Sequence, residues 1–360
     1  KGWDPAERKW VPVSHRTVVP RFLVSEAECS ARGVAWGDPK SVVRDIARST
    51  DERTVISATV PGVPCGNVLG VLGSDAPFAW VICAALNSFV VDWATRQRIG
   101  GTHLNWDVLE ALPLLSPDVV VCSVPMAVIT ARLALCSDAF APTWLQLAAR
   151  VPELRTVPWR RLWATTPHER LRLRAMLDAV TSVNFGLDSD DMGHILRDCN
   201  HPIETLARGT KSLNAKGFWR TDKTQPPELR LSVLTQEALR VLESAGRSET
   251  FTGSIGDGWD LPENLPLSYA GLSHDARDRD RQPVRDQSGQ PLLSTYGREG
   301  AEESWAECER HALAIMGADK YAALQRELGS GVAPDQLVAR AAEQESEYHI
   351  YGDESQRLLF

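Results

Sequence analysis

Five arginines in the first hundred residues carry the chemistry most open to function. Arg44, Arg48 and Arg53 lie within one β-rich stretch, and Arg96 and Arg98 lie at the end of a long apolar helical pattern. A guanidinium is a planar fork of donors that matches phosphate oxygens and the O6/N7 edge of guanine. A hairpin tip or a helix-end loop can carry such forks into a groove. The same side chains have a plainer use: Arg44 or Arg53 can pair with Asp45, Asp51 or Glu52 and lock a hairpin. Gly100-Gly101-Thr102-His103 follows, a loop whose backbone donors and the Thr102 and His103 side chains can face phosphate, or a helix C-cap with no further role. Trp219-Arg220-Thr221-Asp222-Lys223 sets an aromatic beside two cations, Arg220 and Lys223. That suits backbone contact, and equally a satellite-core Trp with a solvated rim.

The elements that must hold these groups are readable in outline. Ser41–Arg48 and Arg53–Val60 are β-like runs joined by the polar turn Ser49-Thr50-Asp51-Glu52, predicting a hairpin with Arg44, Arg48 and Arg53 near its tip. A third strand is expected over Asn67–Leu72. Ser74 or Asp75 can cap a helix in which Phe78, Val81, Ile82, Ala85, Leu86, Phe89, Val90 and Trp93 form one stripe, with Gly100-Gly101 closing it. Asp92 and Arg96, four apart, are expected to pair across a turn for about 0.2–0.5 kcal/mol. Asn87 and Ser88 inside the stripe are expected to make helix-packing hydrogen bonds. Residues 10–24, broken by Pro12 and Pro20, suggest edge strands. Val119–Val121 is strand-like, followed by an Ala/Leu-rich helix near 126–136.

Downstream, Thr166-Pro167-His168-Glu169 is a capping box with Pro at the first helical position. The helix it opens has Leu173, Met176, Leu177 and Val180 on one face and closes at Asn184-Phe185-Gly186. A second helix opens at Asp188 or Ser189. Residues 244–300 are turn-rich and expected to be a linker. Residues 301–348 return to helix, with Trp305, Leu313, Met316, Leu324 and Leu328 as candidate core.

Composition narrows the class. Apolar residues are 43% and charged residues 24%, as in ordinary globular chains. The most apolar stretch, Phe78–Trp93, is too short and too polar for a bilayer span, so no membrane partner is expected. The opening Lys1-Gly2-Trp3-Asp4 lacks the pattern of a secretory signal, and a bacterial cytoplasmic location is expected. Seven scattered cysteines with no CxxC pair predict reduced thiols rather than a disulfide frame or zinc ribbon. The net charge of −8 is unevenly spread. Residues 1–110 hold 12 basic and 12 acidic side chains, residues 132–240 hold 16 and 12, and residues 241–360 hold 11 and 22. Phosphate binding depends on local surface, so the first two thirds remain open to DNA.

Three stretches together resemble the C-terminal target-recognition region of fused adenine-N6 DNA methyltransferase/specificity proteins of bacterial restriction-modification and phage-defence systems. The first is Val43-Arg44-Asp45-Ile46-Ala47-Arg48-Ser49-Thr50-Asp51-Glu52-Arg53-Thr54 with Ala58-Thr59-Val60-Pro61 and Gly66-Asn67. The second is Leu86-Asn87-Ser88-Phe89-Val90-Val91-Asp92 with Arg96-Gln97-Arg98, Gly100-Gly101-Thr102-His103-Leu104-Asn105 and Leu109-Glu110-Ala111-Leu112-Pro113. The third is Leu173–Val180 with Phe185-Gly186-Leu187, Ile195-Leu196 and Phe218-Trp219-Arg220-Thr221-Asp222-Lys223. The resemblance spans roughly residues 15–240. It implies a module that docks on double-stranded DNA and selects a short sequence, while a preceding methyltransferase domain flips an adenine and methylates it from S-adenosylmethionine. On this reading the chain is a fragment of a longer protein.

The departures are equally specific. Such enzymes need an Asn/Asp-Pro-Pro-Tyr/Phe loop, and neither His201-Pro202-Ile203-Glu204 nor Gln225-Pro226-Pro227-Glu228 supplies it. Gly253-Ser254-Ile255-Gly256-Asp257-Gly258 sits in a turn-rich region unsuited to the cofactor. No catalytic residue, cofactor site or metal site is therefore expected in this chain. Nuclease chemistry, which wants an Asp and a Glu-x-Lys on adjacent strands around Mg²⁺, is not expected either. The charged run His274–Asp280 reads as a solvated loop.

The expected architecture is α/β: a mixed α+β DNA target-recognition domain over residues 1–160, then a helical segment over 161–243, a loop-rich linker over 244–300 and an acidic helical region over 301–360. The expected DNA-contact set is Arg44, Arg48, Arg53, Arg96, Arg98, Thr102, His103, Arg220 and Lys223. The alternative is a protein-interaction scaffold whose acidic C-terminal third docks a defence-system partner. That third could also mimic DNA and occupy the basic surface.

Overall fold

A computed structural model of the chain describes residues 2–4, 9–11, 24–33, 37–72, 79–115, 123–165, 167–246, 248–262 and 300–329. Two short strands, β1 (Gly2–Asp4) and β2 (Lys9–Val11), pair antiparallel, and a short helix, α1 (Glu26–Ala31), follows. A three-stranded antiparallel sheet then forms in the order β4-β3-β5, from β3 (Gly37–Arg44), β4 (Ser57–Gly62) and β5 (Leu69–Leu72). Val43 is opposite Ser57 on one side and Gly70 on the other, with a register irregularity between Gly37 and Lys40.

The hairpin is present, but its strands are shorter at the turn end than the β-branched runs suggest. Residues 45–55 leave the β3–β4 ladder because other partners take their backbone. The Ala47 N–H donates to the Thr102 carbonyl (3.0 Å), the Leu104 N–H to the Asp45 carbonyl (2.7 Å), and Ile46 bridges His103. At the other end of the loop, the Thr54 N–H donates to Asp92 (3.0 Å).

The expected single helix is two. After a 3-10 turn at Ala79–Val81, α2 (Ile82–Leu86) stops at Asn87, and α3 (Phe89–Arg98) starts afresh. Ser88 is extended and its Oγ accepts from the Val91 N–H (3.2 Å), an ordinary N-cap. Asp178 adds a second acceptor, taking the Phe89 N–H at 2.8 Å. Asn87 does not bridge helices. Its amide accepts from the Ser57 N–H (3.0 Å) and donates to the Ser57 carbonyl (2.9 Å), continuing the sheet edge as a side chain. α3 ends at Ile99, which is extended, so Gly100-Gly101 is not the left-handed cap expected. The proposed caps Ser74 and Asp75 lie outside the described residues, as do Pro12, Pro20 and Val119–Val121. α4 (Trp106–Glu110) is capped by Asn105.

The main core is helical. α5 (Val124–Ala134) packs with α6 (Ala141–Arg150) and α7 (Pro167–Asn184), and α10 (Leu231–Ala245) packs with α7 and α8 (Ser189–Ile195), whereas α9 (Ile203–Arg208) buries no residue. Local signals place these well. Pro167 opens α7, Gly186 (φ 74°) follows its end, and Asp188 and Asp191 cap α8 reciprocally. Leu173, Met176, Leu177 and Val180 are all buried. One continuous apolar cluster runs from Trp80 to Leu324, so the core crosses the boundary expected at residue 160. A smaller cluster, with Val43, Val91, Ile99 and Leu109, joins the sheet to α3 and α4.

Residues 244–262 are packed rather than linking. α10 reaches Ala245, α11 spans Ser248–Thr252, and Phe251 and Trp259 are buried. α12 (Ala301–Gly329) folds back on α6. Its Trp305 is buried and donates to the Val157 carbonyl (3.0 Å), while Arg160 meets Glu307 (2.9 Å) and Arg155 meets Glu309 (3.3 Å). Leu324 is buried as expected and Leu313 is exposed, contrary to expectation: it faces away from α6, before the kink at Gly317 (φ 75°). Among the described residues, no helix is long and apolar enough to cross a membrane.

Candidate nucleic-acid interface

The centre of the site is internal. Asp92, on α3, accepts from Arg96 Nε (2.7 Å) one turn on, from Arg53 Nε (2.9 Å) and from the Thr54 N–H. Arg96 then uses its remaining donors on four carbonyls. Nη2 reaches Asp51 (2.9 Å) and Glu52 (2.8 Å), and Nη1 reaches Lys216 and Gly217, both at 3.1 Å. Its guanidinium also stacks 4.0 Å from the Phe218 ring. Arg53 donates to the Asn87 carbonyl and lies 4.4 Å from the Phe89 ring. Two cations, one carboxylate and two aromatic faces thus pin the 45–56 loop to the 216–223 segment. A guanidinium so enclosed needs such partners, because a buried charge left uncompensated is costly.

Two of the expected contacts are enclosed in the fold. Arg96 and Asp92 have no exposed side-chain surface and Arg53 has 12%, so Arg53 and Arg96 face inward. Arg53 pairs with Asp92 rather than with Asp45, Asp51 or Glu52, while Arg44 does pair with Asp51 (3.7 Å), the hairpin-locking use. The value of a few tenths of a kcal/mol belongs to an exposed helical pair, and this pair is sealed. Arg98 stands about 200° around α3 from Arg96, folded back on the Ala94 carbonyl (3.2 Å), so it faces away from the loop that Arg96 holds.

The remaining residues are brought together. Arg44 is half-exposed, 3.7 Å from Asp51, and donates to the Arg53 carbonyl. Arg48 is exposed, and its N–H, not its side chain, is held by Asp51 (3.2 Å). Thr102 and His103 are exposed on the strand-like segment that bridges Ile46, with His103 Nδ1 2.8 Å from Asp45. Across the loop, Thr221 donates to the Glu52 carbonyl (3.2 Å) and the Asp222 N–H to Glu52 (3.1 Å). That docking sets Arg220 and exposed Lys223 beside Asp51 and Glu52. Arg220 lies flat on Trp219, 4.0 Å away, and donates to the Ala215 carbonyl (2.7 Å). Burial, with repulsion from Arg96, holds Arg220 below the ordinary arginine range. Trp219 is buried, so the satellite-core reading of this segment holds for the ring, while Lys223 forms the solvated rim.

Charged residues within apolar helical faces were the signal for what the motif reading missed. Asp178, beside Met176 and Leu177, is buried under the Arg53–Asp92 pair, and burial pushes its carboxyl up to about 6. Burial and the nearby Arg53 push Arg174 down. A second centre repeats the arrangement: Glu169 lies between Arg132 (2.6 Å) and Arg172 (2.7 Å). Arg132 donates to the Ile255 carbonyl (2.7 Å), and Arg172 to those of Gly256 (2.8 Å) and Trp259. The Gly253–Gly258 loop is thus held to these two arginines through its Ile255 and Gly256 carbonyls.

Among the described residues, no group of three or more His, Cys, Asp or Glu side chains is placed to hold a metal ion. The chain does contain one Glu-x-Lys triplet, Glu7-Arg8-Lys9, of which Glu7 and Arg8 lie outside the described residues, as does His274–Asp280. In comparisons with known proteins, no family model, curated protein or solved structure matches the chain.

Proposed function

We propose that this chain recognises double-stranded DNA in a sequence-specific way, as the target-reading part of an adenine-N6 methyltransferase of a restriction or phage-defence system. Base extrusion and methyl transfer from S-adenosylmethionine would belong to a catalytic domain outside these residues. One observation carries the reading. The three stretches that resemble target-recognition regions, far apart in sequence, meet at the Asp92 centre: Arg53 and Thr54 from the first, Asp92 and Arg96 from the second, Phe218 from the third with Gly217 beside it. Around that centre Arg44, Arg48, Thr102, His103, Arg220 and Lys223 form the outward surface. Arg53 and Arg96 act as its foundation.

The test is duplex binding by the chain as a function of salt. Each phosphate neutralised releases counterions, so log affinity should fall against log salt with a slope of about −0.9 per contact. Arg48→Ala and Lys223→Ala should each weaken binding and reduce the slope by about 1. A binding constant indifferent to salt, with a protein partner retained through purification, would instead support the scaffold reading of the acidic C-terminal third.

A further inference from the structure

Resting on that DNA-recognition reading, we infer that Ile46 is a wedge that enters the base stack of the bound duplex and opens one step. Ile46 is 54% exposed, and Ile56, whose carbonyl accepts from the Arg44 N–H (2.9 Å), is 41% exposed. A single exposed apolar side chain is ordinary; the setting of this one is not. Its backbone is clamped on both sides, with the Leu104 N–H on the Asp45 carbonyl and the Ala47 N–H on the Thr102 carbonyl. Ala47 is fully buried, while Ile46 and Arg48 on either side of it are exposed. The antiparallel bridge to His103 sets that imidazole beside it.

A branched apolar side chain on a rigid pedestal, ringed by groups that bind phosphate, is the composition by which proteins unstack and kink DNA. The wedge fills the gap while the surrounding cations hold the two strands. Charge selects the occupant. The carboxylates nearest the wedge are already engaged, Asp45 by His103 (2.8 Å) and Asp51 by the Arg48 N–H (3.2 Å), which leaves the Arg48 guanidinium for a polyanion.

The experiment is relaxation of a closed-circular plasmid by a topoisomerase in the presence of the full chain, read as a change in linking number per bound protein. A plasmid of several kilobases presents most short sequences, so the recognised site need not be known. Wild type should bind and shift the linking number. Ile46→Ala should bind with affinity changed less than about threefold and an unchanged salt slope, yet lose the linking-number shift; Ile46→Leu should restore it. Wild-type binding without a shift, or an equal shift from Ile46→Ala, overturns the wedge and leaves DNA recognition standing. Failure of wild type to bind the plasmid at all removes both.

Discussion

Asp92 and Arg96 stand one turn apart on α3 with a 2.7 Å contact and no exposed side-chain surface on either residue. With Arg53 on the other carboxylate oxygen, they form an Arg–Asp–Arg centre that joins the 51–54 loop to residues 216–218. Such a centre adds no net stability over a well-packed apolar replacement, but removing its carboxylate leaves two guanidiniums facing each other in a poor solvent. Asp92→Asn keeps the shape and removes the charge. It should cost about 3–5 kcal/mol, measured by urea unfolding. A loss below about 1 kcal/mol would mean that water reaches the centre.

Glu169 plays the same part between Arg132 and Arg172, whose donors hold the 255–259 carbonyls. Glu169→Gln should therefore do two things: lower stability by about 3–5 kcal/mol, and raise protease cleavage within residues 253–262 under native conditions. Lower stability with unchanged cleavage would show that the loop is held by Phe251 and Trp259 packing alone.

Asp178 sets a pH dependence of unusual sign. Its carboxyl is raised to about 6 from 3.8, by burial first. The folded chain thus binds this proton more tightly than the unfolded chain between roughly pH 4 and 6. Stability from this group is full below the unfolded value and falls as pH rises through the folded one, by about 3 kcal/mol in all. Asp178→Asn keeps an acceptor for the Phe89 N–H and cannot ionise. Measured at pH 4, 5 and 7, the variant should gain on wild type as pH rises, and a constant difference would refute the assignment.

Trp305 fastens α12 to the body. It is 2% exposed and donates to the Val157 carbonyl. Trp305→Ala removes that buried area and the hydrogen bond to the partly buried Val157 carbonyl, and should lower stability by about 3–5 kcal/mol in a single transition. Two separate transitions, with only the smaller affected, would indicate that α12 belongs to an independent unit.

Surface and centre should separate cleanly. Arg48→Ala and Lys223→Ala, on exposed side chains, should change stability by no more than about 0.5 kcal/mol while weakening duplex binding. Arg96→Ala should do the reverse in proportion, lowering the unfolding midpoint first.

What the sequence determined by itself is what few-residue interactions decide. The capping pair at Asp188 and Asp191, the start of α7 at Pro167, Gly186 beyond its end and the buried face through Leu173, Met176 and Val180 all depend on neighbours within a turn or two. The Asp92–Arg96 pairing is legible for the same reason. Which way an arginine faces is not local. Arg53 and Arg48 sit in one polar loop with similar neighbours in sequence, yet one is enclosed and the other exposed. The difference is made by the Asn87 carbonyl, 34 residues away, the Asp92 carboxylate and the rings of Phe89 and Phe218. A long side chain can reach water or a partner with equal ease. Only the closed, low-dielectric shell of the folded chain settles which charges must be paired inside and which are left outside to meet another molecule.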